Sequence, residues 1–482
     1  MRRTLIPHVG WPYALALAKT AIEECIRDHP ECQAVTPYPI GAAPLPSRLV
    51  DCSDPNCLRI VEPGPGTGVS GPYIALSYVW GEKAPRYRTT KSNLSSYKVR
   101  IDGAILPQTI HDAIHVTRTL GVNFLWIDGL CIIQDSEGDK HHELERMRDV
   151  YRHAFLTIDA GSAASGATIL PFVCPRLPGG RVDRLTRDVQ VGMPTTHTAQ
   201  RGWCLQERLL STRSLIFTTQ TLQLRCHSLT QNIGGAHHDD SNDVPRLPDA
   251  VFHPDQHIAH GSNEWNNIHG RWLKIVEDYS FRKLSDPSDK LTAISALAEM
   301  FAPILGPDYV AGLWRRTLLE DLLWESQSSG LASPGPGFSS GYRAPSWSWA
   351  SIDGPVRFWH NTTGVPIAEV VECTLFLRNK QLPFGPVVSG SLVLSASLLR
   401  RFTCTANFDY EDDDAVREIW IIPIMQVGIF YNTMQGLVVT REEVDAWGGG
   451  VFRRVAICSF GDFSIASEWM GHGIPRVNIE LV

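Results

Sequence analysis

The sequence predicts a mixed fold: an α/β core built on a parallel sheet, a helical middle region and a C-terminal all-β module. Two observations carry the core. Short, nearly continuous apolar runs lead to Trp80, Asp128 and Asp159, and amphipathic helical stretches separate them. Such alternation marks a parallel sheet covered by helices. A third observation, the change to two-residue periodicity after Pro345, sets the β module apart.

Residues 1–49 read as an N-terminal helix, Ala14 to Arg27, and the start of a Pro- and Gly-rich linker that runs on to Pro65. The α/β domain follows at 50–226. Tyr73 to Val79 has the form of a strand buried on both faces. Pro107 to Leu120 reads as a helix, with Pro107 in its first turn, Ile110, Ile114, Thr117 and Leu120 on one face, and Gly121 to stop it. A strand at Phe124 to Ile127, a helix at Glu137 to His153 and a strand at Phe155 to Ile158 complete the alternation. The helix should turn Leu144, Met147, Val150 and Tyr151 inward. Arg201 to Ser211 has helical spacing that places Trp203, Gln206, Glu207 and Leu210 along one side, and 212–226 reads as two short strands.

The stretch 227–344 divides into a polar loop, 230–262, and helices within Trp265 to Glu325, where Ser285 to Asp289 is a start signal for Lys290 to Phe301. The β module, 345–482, holds strands at Ser346 to Ala350, Val370 to Leu377, Ser391 to Leu399, Glu418 to Met425, Gly436 to Val439 and Arg454 to Phe460. Asp409 to Asp414 reads as a solvated turn. Trp347 and Trp349, two apart in a strand pattern, should face one side and seal one domain against another.

Composition narrows the function classes. With 482 residues, 43% hydrophobic and 20% charged, the chain is too apolar for a disordered regulator and lacks the apolar runs of a membrane span. A net charge of -7 argues against a nucleic-acid coat. Eleven scattered cysteines suggest a reducing compartment instead of a disulfide scaffold. Arg2 and Arg3 precede the apolar stretch Trp11 to Ala18, but Pro12 interrupts it and Glu23 and Glu24 follow, so an amphipathic helix is expected and not a signal peptide. The expected location is cytoplasmic.

In parallel sheets the ligand crevice lies beyond the carboxyl ends of the strands. Here those ends carry Ser77, Tyr78 and Trp80; Trp126 and Asp128 to Asp135; and Asp159 to Ser162. Glu207 is the candidate catalytic carboxylate, because on an apolar helix face it must have either a raised pKa or a buried cation, Arg201 or Arg208, as partner. Asp128 could hold a ribose hydroxyl or a cation, or simply cap the turn that follows. Ser77, Tyr78, Trp80, Trp126, Cys131, Gln134, Asp135, Arg201, Trp203 and Gln206 are candidate ligand contacts, the aromatic ones equally at home in a core. Cys131 has no base in sequence reach and reads as a small buried hydrophobe before a nucleophile.

The ordered segments Tyr73 to Gly81, Leu106 to Ala113, Leu125 to Asp135, Met147 with Val150 and Tyr151, and Arg201 to Ser211 resemble the three blocks of the fungal heterokaryon-incompatibility (HET) domain. Cys25, His29 and Cys32, Leu45 to Arg48, and Pro345 to Ala350 also look like what accompanies that domain. The resemblance implies a role in nonself recognition and programmed cell death, and a core similar to the toll/interleukin-receptor (TIR) or flavodoxin-like fold. Some TIR-like domains cleave NAD with a glutamate, so NAD enters as a substrate, no cofactor being identified. Gly129 stands where the family more often has serine. A protein partner, a homo-oligomer or a small-molecule ligand is compatible with this reading. The alternative is a small-molecule cyclase or isomerase that uses the same scaffold around an apolar, Trp-lined pocket.

Three literal motifs carry little weight. Gly337 to Gly341 fits a nucleophile elbow but lies in a loop-forming stretch, and Gly66 to Gly71 fits a dinucleotide fingerprint but leads into a strand. Cys25-x3-His29-x2-Cys32 has partial zinc spacing that Cys52 or Cys57 could complete, yet three residues sharing one helix face explain it more simply. No metal is expected there, nor at His237 to Asp240, which reads as a solvated loop.

Overall fold

The computed structural model describes residues 12–36, 38–80, 85–161, 163, 197–218, 222–233, 246–253, 255, 257–327, 342–359, 364–400, 405–408, 419–427, 433–444, 450–460 and 475–482. The chain forms two compact units, 1–253 and 254–482. His237 to Asp240, Gly337 to Gly341 and Asp409 to Asp414 lie outside the described residues.

In the first unit, eight strands form one sheet: β1 (Leu49–Asp51), β2 (Arg59–Val61), β3 (Tyr73–Ser77), β4 (Phe124–Trp126), β5 (Leu156–Asp159), β6 (Arg213–Phe217), β7 (Leu222–Cys226) and β8 (Thr230–Ile233). Their order is β2-β1-β4-β3-β5-β6-β7-β8. The centre, β4-β3-β5-β6, is parallel, and both flanks are antiparallel. The apolar runs become these central strands because β3, β5 and β6 are buried along their whole length. β1 and β2 fall in the expected linker. Each is three residues long among prolines and glycines, too short for periodicity to show, and pairing with β4 stabilises them.

The helices are α1 (Pro12–Asp28), α2 (Pro30–Ala34), α3 (Leu94–Val99), α4 (Gln108–Thr119), α5 (Asp128–Cys131), α6 (Glu137–His153) and α7 (Gly202–Leu210). α4 buries Ile110, Ile114 and Thr117 as the spacing required. On α6 the buried set is Glu143, Met147, Val150 and Tyr151. Glu143 goes inward where Leu144 was expected because Arg48 waits there, 3.5 Å from its carboxylate. Tyr73 and Tyr151 tie α6 and β3 together, their hydroxyls donating to Val150 O at 2.6 Å and Leu76 O at 3.3 Å.

The second unit holds helices at Asn263–Ser280 and Thr292–Leu305 and a separate nine-stranded sheet from 364–481. That sheet is antiparallel except where Val451 and Phe452 run alongside Glu480 and Leu481. Asp286 accepts from Ser288 N at 2.9 Å and caps a 3₁₀ turn, so the second helix begins at Thr292, two residues later than its start signal suggested. The Ser346 to Ala350 segment is a turn leading into a 3₁₀ helix, Trp349–Ser351, instead of a strand. Ser348 Oγ accepts from Ala350 N at 3.0 Å, an alternative to ladder bonding that serine offers readily. Trp347 and Trp349 are fully buried inside this unit, the Trp349 indole donating to Gly312 O at 2.9 Å. Gly312 has φ +101, and a Cβ there would lie 2.5 Å from that indole nitrogen.

Arg454, 1% exposed, donates to Leu322 O and Trp324 O at 2.5 Å each and lies 3.4 Å from the Trp324 ring centre. Arg454→Met keeps the apolar stem but leaves two buried carbonyls without these donors. A loss of about 2–4 kcal/mol in denaturant unfolding is expected.

Candidate functional site

The strand order places β4 and β5 on opposite sides of β3, so the connection from β3 runs to β4 on one side while that from β5 runs to β6 on the other. Such a reversal opens a crevice at the carboxyl ends, between β3 and β5. Ser77 and Asp159 are register partners there, one at the end of each strand. Asp128 opens α5 just after β4, Arg201 caps the start of α7, and Glu207 lies in its second turn.

Glu207 is 5% exposed and receives a hydrogen bond from Ser77. Burial pushes its pKa up to about 7; the Ser77 bond and Arg201 pull it down, while the nearby carboxylates of Asp128 and Asp159 push it up. Asp128 keeps partial solvent access. Burial also raises its pKa, to about 6, against the lowering effects of Arg201, the Trp80 indole and the Gly129 amide. Trp80 Nε1 donates to both carboxylate oxygens, at 2.9 and 2.8 Å, and Gly129 N to one of them at 2.6 Å. Arg201 donates to Tyr78 O at 2.7 Å, which fixes the guanidinium at the carboxyl end of β3.

The structure therefore brings together Ser77, Tyr78, Trp80, Asp128, Arg201 and Glu207. Two carboxylates with raised pKa values share one arginine, an arrangement that can exchange protons near neutral pH. The rest of the candidate set stands around this group. Trp126 is fully buried and packs edge-on against Tyr151, ring centres 5.6 Å apart. Cys131 is buried and its thiol is pushed up to about 12 by desolvation, which suits packing better than nucleophilic attack. Gln134 donates to Asp128 O at 3.1 Å and Ile132 O at 3.2 Å, bracing the turn after β4. Asp135 is exposed and accepts from Lys91 N at 2.8 Å. On α7, Gln206 is buried and Trp203 partly so.

Three participants were not among the catalytic or ligand-contact residues named from the sequence. Tyr87 bonds to Tyr78, hydroxyl to hydroxyl at 2.8 Å, and nothing in its local sequence signals this. Asp159, which the strand-end rule had placed beside the crevice without a role, accepts from Thr198 at 2.7 Å. Gly129 leaves a notch beside these tyrosines, since a Cβ there would stand 3.0 Å from the Tyr78 hydroxyl.

A shallow recess lies at the opposite, amino end of the sheet, lined in part by Tyr73, Arg152, His153 and Arg213. Its lining contains no carboxylate. The Gly66 to Gly71 stretch forms turns leading into β3 and opens no helix.

An α/β domain with an acidic, aromatic cluster at its strand-order reversal is thus the class that fold and site define. Residues 73–207 match the family described as heterokaryon incompatibility protein (HET). A relative from Neurospora crassa, heterokaryon incompatibility protein 6, OR allele, is 33% identical over 92 residues, which span 17% of this chain and 13% of the relative. No solved structure matches the chain. Among the described residues no helix is long and apolar enough to cross a membrane.

Proposed function

We propose that this chain is a fungal HET protein acting in nonself recognition and programmed cell death in the cytoplasm, and that its carboxyl-end cluster hydrolyses NAD or a related nucleotide in TIR-like fashion. The observation that carries the reading is the placement of Glu207 and Asp128 around Arg201 at the β3/β5 reversal. Counted from β3, the parallel strands lie in the order second, first, third, fourth, as in flavodoxin-like sheets, which supports the TIR-like comparison.

In this reading Trp80 and Tyr78 flank the nucleotide, Asp128 binds a ribose hydroxyl, and Arg201 offsets the two carboxylates. The bond between nicotinamide and ribose C1′ breaks, nicotinamide leaving with the bonding electrons. Water adds to C1′, and Glu207 accepts the proton that the water releases, giving ADP-ribose, nicotinamide and a proton. A carboxylate with a pKa of about 7 is half ionised at neutral pH and can serve as that base.

The test is nicotinamide release from NAD by the purified full chain. Release that disappears in Glu207→Ala supports the proposal. No release by the wild type, or undiminished release by the variant, contradicts it.

A further inference from the structure

A second cluster lies away from the carboxyl-end site, where the N-terminal helices meet the β7–β8 turn. Cys25, His29, Cys32 and Cys226 each present a ligand atom, and all four atoms lie within 4.8 Å of one another. Cys52 and Cys57, considered from spacing alone, are placed elsewhere, their thiols directed at Val50 O and Val99 O. Nor do the three N-terminal residues share one helix. Pro30 begins a new short helix, and His29 before it is extended at φ -106, ψ 97, as a residue preceding proline prefers. The resulting bend turns Cys25, His29 and Cys32 around a common point that a straight helix would not give them.

We propose that these four residues form a structural zinc site. Zinc bonds of about 2.3 Å to sulfur and about 2.0 Å to nitrogen set tetrahedral ligand atoms about 3.5–3.8 Å apart. His29 Nδ1 lies 3.4 Å from Cys226 Sγ and 3.9 Å from Cys32 Sγ, close to that spacing. All three cysteines are buried free thiols.

The surroundings match a thiolate site. Leu229 N donates to Cys226 Sγ at 3.4 Å, Arg213 Nε lies 3.3 Å from Cys25 Sγ, and Ser228 Oγ lies 3.3 Å from Cys32 Sγ. Second-layer donors of this kind orient ligands and temper their charge. Three thiolates and a neutral imidazole around a divalent ion leave one surplus negative charge, and the Arg213 guanidinium is placed to offset it. With four protein ligands the site is closed, so its role is to fasten residues 25–32 to the end of β7 and not to perform catalysis. The donor set, dominated by sulfur, favours zinc over magnesium or calcium.

The experiment is metal analysis of the full chain purified under reducing conditions, together with the absorption spectrum of its cobalt(II)-substituted form. One zinc per chain and an intense thiolate-to-cobalt band are expected. Cys226→Ser and His29→Ala should each lower zinc occupancy at least tenfold, and Cys57→Ser should leave it unchanged. Should a variant fail to fold, the wild-type spectrum decides: a weak six-coordinate cobalt spectrum without sulfur bands overturns the proposal. So does a wild-type protein free of zinc after preparation with zinc present, or one in which mass spectrometry finds two of the three cysteines joined as a disulfide.

Discussion

Glu207→Gln is expected to lower nicotinamide release by a factor of about 10²–10⁴, the usual contribution of a positioned acid or base, while making the fold more stable above pH 7. The two effects share one cause. The Glu207 carboxyl is held at a pKa of about 7, up from 4.5, chiefly because burial penalises its ionised form. A carboxyl raised in the folded state gives its full contribution to stability below the unfolded pKa, where it is protonated in both states. That contribution is lost as pH rises through the folded value. At about 1.4 kcal/mol per unit, roughly 3 kcal/mol is at stake for Glu207 between pH 4.5 and pH 8. Glutamine imitates the protonated form, so wild type and variant should unfold alike at pH 4.5 and diverge by up to that amount at pH 8, the variant being the more stable. If Glu207 served only as the anionic half of a structural ion pair, the variant would be the less stable at pH 8. Denaturant titrations at both pH values give the sign directly.

Arg48→Ala should be among the most destabilising single changes in the first unit, at about 3–5 kcal/mol, because it strands buried charge. Arg48 Nη2 contacts both oxygens of Asp139, at 2.7 and 2.6 Å, and lies 3.5 Å from Glu143, which is 1% exposed. Its Nε donates to Cys131 O at 2.6 Å, which holds the end of the turn that Asp128 begins. Loss of the side chain would leave the Glu143 carboxylate buried without this cation and loosen the turn behind Asp128. Arg59→Ala provides the comparison. Its pair with Asp51 spans 3.1 Å, but the arginine is half exposed, so its loss should cost less than about 1 kcal/mol. Chemical denaturation of the two variants side by side tests the contrast.

The parallel core was legible in the sequence because burial on both faces leaves continuous apolar runs, as in Tyr73–Ser77 and Leu156–Asp159. α4 and α6 were legible through their periodicity, and the strand-end rule led to Asp128 and Ser77. Other features depend on partners distant in sequence. β1 becomes a strand because β4 is beside it, and Glu143 turns inward because Arg48 meets it. The hydroxyl contact of Tyr87 with Tyr78 follows from how a loop folds back, which no local pattern encodes. Cys226 is the clearest case. It lies 194 residues beyond Cys32 in a strand whose own pattern accounts for it, so only the tertiary fold brings it to the cluster. Ser346 to Ala350 shows the reverse: alternating tryptophans imitate a strand, and a serine cap diverts the backbone into a 3₁₀ turn.

The central claim is that Glu207 is a buried carboxyl able to exchange a proton near neutral pH. It is tested most directly by following the side-chain carboxyl carbon of Glu207 through a pH titration by NMR, with the resonance assigned by its absence in Glu207→Gln. A midpoint near 7 is the predicted result. A midpoint at or below 4.5, the ordinary value for glutamate, would show a carboxylate stabilised by its surroundings and would contradict the account.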